Sequence, residues 1–177
     1  MPISKYNIHA GHNFRYVPPS AAKETQGISM FIRIADIADV AEMFRVRLSV
    51  NENKATMADL AKYGVTPESL PKMLLNNGRG WVVEIDGVIR AFAMADADKS
   101  TVFALFIEPG YERQGIGRKL MNEAEKWLTE MGCIQIWLET DRNPQVRANG
   151  FYRHIGWTES NIQPDGQVKF IKIIHSR

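Results

Sequence analysis

Gly115, Ile116 and Gly117 stand between an apolar run, residues 103–107, and a stretch whose apolar residues recur at helical spacing. Glu108, Pro109 and Gly110 end the run. Gly115 and Gly117 carry no Cβ, so the backbone there can lie directly against a ligand. The first N–H groups of the following helix lack intrahelical partners and sit at the positive end of its dipole. Bare amides, a dipole and two glycines make an anion site, most naturally for phosphate. Arg113, Arg118 and Lys119 add positive charge around it. Two phosphate-loop patterns fail on spacing. Gly110 and Gly115 have the separation of a nucleoside-triphosphate loop, but Ile116 stands where that loop needs Lys. Gly115 and Gly117 open a dinucleotide fingerprint, but Leu120 occupies the place of its third glycine.

A third pattern fits. Pro109, Tyr111 and Gly115-Ile116-Gly117, followed by an amphipathic helix, resemble the acetyl-CoA loop of the GCN5-related N-acetyltransferases (the GNAT family). That loop reads Arg/Gln-x-x-Gly-x-Gly/Ala, and here Glu112 stands at the Arg/Gln position with Arg113 beside it. Further on, Ala148, Phe151-Tyr152 and Gly156-Trp157 are similar to the family's Ala-x-x-Phe-Tyr…Gly-Phe segment. The resemblance spans residues 30–175. It implies acetyl-CoA as co-substrate, no metal, and an N-acetyltransferase that moves an acetyl group to a primary amine by direct attack in a ternary complex.

Such a transfer needs four things. The pyrophosphate needs a site, for which the resemblance offers Glu112, Arg113, Gln114, Gly115, Ile116, Gly117 and Arg118. The pantetheine arm is rich in amides and can pair with an exposed backbone edge, which the resemblance puts at Leu105, Phe106 and Ile107. A backbone N–H there, of Phe106 or Ile107, can stabilise the oxyanion. The leaving thiolate needs a proton, and Tyr152 has a suitable hydroxyl and stands at the family's general-acid position. The acceptor ammonium must lose a proton, for which Glu108, at the end of the run, is the first candidate base. Glu139 or a water chain are alternatives. Asn143 and Asn149 are further cofactor contacts, while His154 falls on the polar side of its helix. The acceptor pocket is expected from residues 45–75 and the strands near Trp81, with the acceptor open: amino acid, small amine, aminoglycoside-like antibiotic or protein N-terminus. A non-catalytic acyl-CoA-binding module, and O-acyl or longer-acyl transfer, are the competing functions. By analogy with the family, a homodimer is expected, with Trp157 and the last strand supplying its interface.

The elements that must position these groups follow from periodicity. Residues 1–29 hold Pro18-Pro19 and no sustained period, and read as a flexible extension, an upstream start or vector-derived. His9 and His12 lie there, and a loose arm of this kind usually binds no metal. Residues 30–177 form a single domain. A strand is expected at 31–35 and a helix capped by Asp36, with a stripe of Ile37, Val40, Ala41, Phe44 and Leu48. A second helix falls near 66–75, starting close to Ser69 because of Pro71. Strands at 81–85 and 88–95 flank an Asp86-Gly87 turn, and the run at 103–107 follows. The helix after the loop buries Ile116, Leu120, Ala124, Trp127, Leu128 and Met131. A strand at 134–140 leads to a helix opened by Asn143-Pro144 with Ala148, Phe151, Tyr152 and Ile155 inward. Gly150 inside that helix suggests a close approach. Gly156-Trp157 opens a strand, and 168–174 closes the chain. The order βααβββαβαββ gives an α/β domain with a mixed, mostly antiparallel central sheet flanked by helices.

Composition bounds the rest. A chain of 177 residues can bury one substantial core. A net charge of +2 gives no footprint for nucleic acid. The single cysteine, Cys133, cannot form an internal disulfide and suits a reducing compartment. No apolar run approaches the roughly 20 residues that span a bilayer, and no signal peptide is visible, so a cytoplasmic protein without membrane or nucleic-acid partners is expected.

Overall fold

In the computed structural model, which describes residues 29–143 and 146–174, period-two alternation sends the side chains of two central strands to opposite faces. These are β2 (Gly78–Ile85) and β3 (Val88–Asp96). Trp81, Val83 and Ile85 join Ala91, Ala93 and Ala95 in one buried cluster. Val82 joins Ile89, Phe92 and Met94 in another. A sheet that is apolar on both faces must be covered on both. Helices α1 (Val40–Ser49), α2 (Met57–Lys62) and α3 (Ser69–Leu75) cover one face, and α4 (Ile116–Glu130) with α5 (Arg147–His154) the other. Trp127 of α4 packs edge-on against Trp81 at 5.8 Å.

Among the described residues the sheet has seven strands. The others are β1 (Met30–Ile34), β4 (Thr101–Ile107), β5 (Gln135–Asp141), β6 (Thr158–Ile162) and β7 (Gln167–Ile173). Their spatial order is β1-β2-β3-β4-β5-β7-β6. Every neighbouring pair is antiparallel except β4 and β5. This is the expected mixed, mostly antiparallel α/β arrangement. The β2–β3 turn has positive φ at both Asp86 (52°) and Gly87 (77°), the geometry that a two-residue hairpin needs.

Local signals account for most element starts. Asp36 Oδ1 accepts from Ala38 N–H at 3.0 Å and Asp39 Oδ2 accepts from Asp36 N–H at 2.7 Å, a reciprocal cap that starts a short 3₁₀ turn ahead of α1. Pro71 falls in the first turn of α3, where its missing N–H costs nothing. One helix more than expected precedes β2. The extra one, α2, has a Thr56/Asp59 capping box, but it is six residues long and buries Leu60 alone, so it shows no apolar stripe.

Four expectations need correction. The buried side of α1 is Val40, Met43, Phe44, Val46 and Arg47, while Ala41 is exposed and Leu48 is 40% exposed. Met131 is 53% exposed because α4 ends one residue before it. Helix α5 begins at Arg147, four residues after Asn143. A Cβ at Gly150 would meet nothing within 4 Å among the described residues, so none of them presses there. The expected extension with His9 and His12 (apart from Ser29), and Pro144 of the expected cap, lie outside the described residues.

Candidate active site

Parallel strands β4 and β5 touch at one register pair, Thr101 with Trp137, and then diverge. Thr101 Oγ1 pins the contact by donating to the Trp137 carbonyl at 2.9 Å. Beyond it, one edge of β4 is unpaired among the described residues. Which groups face the gap follows from the antiparallel ladder on the other side. Glu108 N–H donates to the Arg90 carbonyl at 2.8 Å, and bonded pairs alternate along such a ladder. With Phe106 opposite Phe92 and Ile107 opposite Ala91, Phe106 bonds inward, and the N–H groups of Leu105 and Ile107 turn to the gap. Of the two expected oxyanion donors, the geometry therefore favours Ile107.

The gap opens into a cavity of about 560 Å³. Leu105, Phe106 and Ile107 form one wall, and Arg113, Gly115, Ile116, Gly117 and Arg118 form its floor at the start of α4. The loop is bent by left-handed residues at Arg113 (φ 62°) and Gly115 (φ 77°). Left-handed kinks of this kind turn successive N–H groups inward into an anion-binding concavity. Gly117 is needed for a different reason: a Cβ there would stand 3.2 Å from Phe151 Cζ, so its absence lets α5 close against α4. Gln114 is exposed and does not line the cavity.

Glu112 does line the cavity. Its Oε2 accepts from Gly110 N–H at 2.7 Å and its Oε1 from Arg147 Nη2 at 3.2 Å. Backbone N–H donors, its own first, hold the carboxyl below its ordinary range despite partial burial. Arg147 continues to Glu52, with Nε donating to Oε1 at 2.8 Å. An ionic chain thus runs from the connection between α1 and α2 across to the loop. The pairing is invisible in sequence, because Glu52 and Arg147 are 95 residues apart.

Tyr152 and Glu139 meet at the same cavity, as does His154. Tyr152 is buried, and burial pushes its hydroxyl well above the ordinary tyrosine range, so it stays protonated. Glu139, on β5, is half-buried. Glu108 is outside the cavity wall. Its Oε1 accepts from Arg45 at 2.7 Å and its Oε2 from Arg90 at 2.8 Å. Burial would raise this carboxyl, but the two guanidinium hydrogen bonds win and hold it below the usual range. A carboxylate with both oxygens engaged by cations is a poor proton acceptor, which disfavours its expected role as base.

Asn149 and Asn143 also sit elsewhere than expected. Asn149 is buried and donates to the carbonyls of Asp141 (2.8 Å) and Asn143 (2.9 Å), tying the β5–α5 connection together. Neither lines the cavity. Trp157 is buried within the chain and donates from Nε1 to Glu125 at 2.8 Å, so it is unavailable as an interface residue. Arg47 braces the other side: it is buried, 4.4 Å over the Phe106 ring, and donates to the Asn53 carbonyl at 3.1 Å. That fixes the segment 50–53, which lines the cavity.

Comparison with known proteins bears on the fold and the family. The [Ribosomal protein bS18]-alanine N-acetyltransferase of Escherichia coli K12 is 32% identical over 80 residues, 44% of this chain and 53% of that protein. The chain therefore spans about half the length of that relative. The PaiA N-acetyltransferase of Thermoplasma acidophilum, solved in complex with coenzyme A, superposes with a TM-score of 0.69 at 18% identity, over 82% of this chain and 99% of that one. The solved ribosomal-protein-S18-alanine N-acetyltransferase of Escherichia coli gives 0.62 at 19%, over 81% and 91%. These structures share the fold. Residues 37–157, well over half of the sequence, match the acetyltransferase (GNAT) family, and the chain belongs to that family.

Proposed function

We propose that the protein transfers the acetyl group of acetyl-CoA to a primary amine by direct attack in a ternary complex. The observation that carries this reading is the continuity of one cavity, from the left-handed loop at Gly115, along the unpaired edge of β4, to Tyr152 and Glu139. The residues suit the co-substrate: inward amides for phosphate, a strand edge for an amide-bearing arm, and an apolar wall at Leu105 and Phe106. Bound acetyl-CoA supplies an activated thioester. The Ile107 N–H is suited to hold the developing oxyanion, and the Tyr152 hydroxyl to give a proton to the departing sulfur. Glu139 is the better base than Glu108, because it lines the cavity while Glu108 is held by two arginines.

For the acceptor, a protein N-terminal amine is the first candidate. The Escherichia coli relative named above acts, by its name, on the alanine of a ribosomal protein. In this chain a second hollow of about 350 Å³, lined by Lys54, Thr56 and Asp59, shares Val50 and Asn51 with the main cavity and gives room for an acceptor larger than one amino acid. The test is thiol release from acetyl-CoA by the full chain in the presence of short peptides with free or blocked N-termini. Release that needs the free N-terminus supports the reading; equal release without any amine contradicts it.

A further inference from the structure

The cavity wall contains one guanidinium that comes from outside the anion loop. Arg147, the first residue of α5, donates from Nη2 to Glu112 at 3.2 Å, from Nε to Glu52 at 2.8 Å, and from its backbone N–H to Glu52 Oε2 at 3.3 Å. All three residues line the same cavity as Gly115 and Gly117. Within this trio one positive charge faces two negative ones, so Arg147 is not free for an anion as long as it stays paired.

These pairs are easily exchanged. The side chain of Arg147 is 51% exposed, that of Glu52 40% and that of Glu112 28%. Ion pairs this wet contribute little to stability. A pyrophosphate carries more charge than a carboxylate and presents paired oxygens that match the guanidinium fork. Glu112 can remain in place when Arg147 leaves, because its other oxygen is held by Gly110 N–H at 2.7 Å. We propose that Arg147 is a ligand of the co-substrate's pyrophosphate, held by Glu112 and Glu52 in the free protein, and that Glu112 competes with the phosphate for it. The inference rests on the reading that coenzyme A occupies this cavity. It gives Glu112, an acidic residue in an anion loop, a definite effect on affinity, and it supplies from α5 a positive charge that position 112 does not provide.

The opposed signs of two substitutions test it. Calorimetric titration of the full chain with coenzyme A and with dephospho-coenzyme A, which keeps the pyrophosphate, is the measurement. Arg147→Ala weakens both by about tenfold, the worth of one charged hydrogen-bonded contact, and Arg147→Lys recovers part of the loss. Glu112→Gln, which can still accept from Gly110 N–H, tightens binding severalfold, and tightens it markedly less when Arg147 is already Ala. If Glu112→Gln and Arg147→Ala both weaken binding, the chain is a structural tie and the inference is overturned. A loss confined to coenzyme A would put the contact at the 3′-phosphate and overturn it equally. Failure of the unsubstituted protein to bind coenzyme A is a separate result, which removes the acetyltransferase reading and this inference with it.

Discussion

Tyr152 packs among Phe151, Trp157 and Phe170 with ring centroids at 5.4, 6.3 and 5.7 Å. The aromatic cage both fixes the ring and raises the pKa of its hydroxyl by excluding water. A general acid contributes about 10²–10⁴-fold, so Tyr152→Phe, which keeps the ring, should lower kcat by roughly 10²-fold with little change in KM for acetyl-CoA. Because the pKa is raised, the acid form persists with rising pH. The rate should climb as the acceptor amine deprotonates and show no fall below about pH 9. A Tyr152→Phe variant that kept full turnover at every pH would refute the assignment. The two carboxylates should part company in the same assay. Glu139→Gln should reduce kcat by about 10²-fold. Glu108→Gln should act mainly on stability, since it breaks the link between Arg45 and Arg90. The folded pKa of Glu108 lies below its unfolded value, so its contribution is present above about pH 4.3 and is lost as pH falls through the folded pKa. With discount for solvent at these partly exposed partners, it amounts to about 1 kcal/mol, or roughly 2–4 °C in Tm at neutral pH. The gap between variant and parent should close in acid.

At the scale of elements, the loop at 112–118 depends on two glycines for different reasons. Gly115 has φ 77° with open space around it, so Gly115→Ala brings backbone strain of about 1 kcal/mol and no clash. Gly117 is helical, but a Cβ would press on Phe151 at 3.2 Å and lie 3.5 Å from Ile107 Cδ1. Gly117→Val should therefore push α5 from α4 and shift Tyr152 with it, lowering acetyl-CoA affinity and kcat together. Gly115→Ala should weaken affinity with a much smaller effect on kcat. Steady-state kinetics of the two variants separate these effects, and identical profiles would contradict the division.

For the whole molecule, the divergence of β4 from β5 leaves strand edges without partners among the described residues, in the middle of a seven-stranded sheet. A ligand that pairs with the β4 edge extends a β4–β5 pairing whose register pair is Thr101 with Trp137. Binding to the folded state alone at 100 times Kd adds about 2.7 kcal/mol. Coenzyme A should accordingly raise Tm by roughly 5–10 °C at that concentration. A melting curve unchanged by saturating coenzyme A would show that the gap is not its site.

The loop at 112–118, the paired strands β2 and β3, the helix after the loop and the motif around Tyr152 were all readable from sequence. Each is written in local terms: glycine placement, period-two or helical spacing, and a short segment of fixed residue types. Tertiary structure decided what depends on distant residues. It set Glu108 between Arg45 and Arg90, 63 and 18 residues away, and so engaged both of its oxygens with guanidinium groups. It buried Asn149 under the β5–α5 connection and Trp157 in the core. It brought Glu52, Glu112 and Arg147 to one cavity wall. Local pattern specifies which elements form and which face they bury, because those choices are made within a few residues. Which oxygen meets which guanidinium is fixed only when separate elements pack, and no spacing along the chain records it.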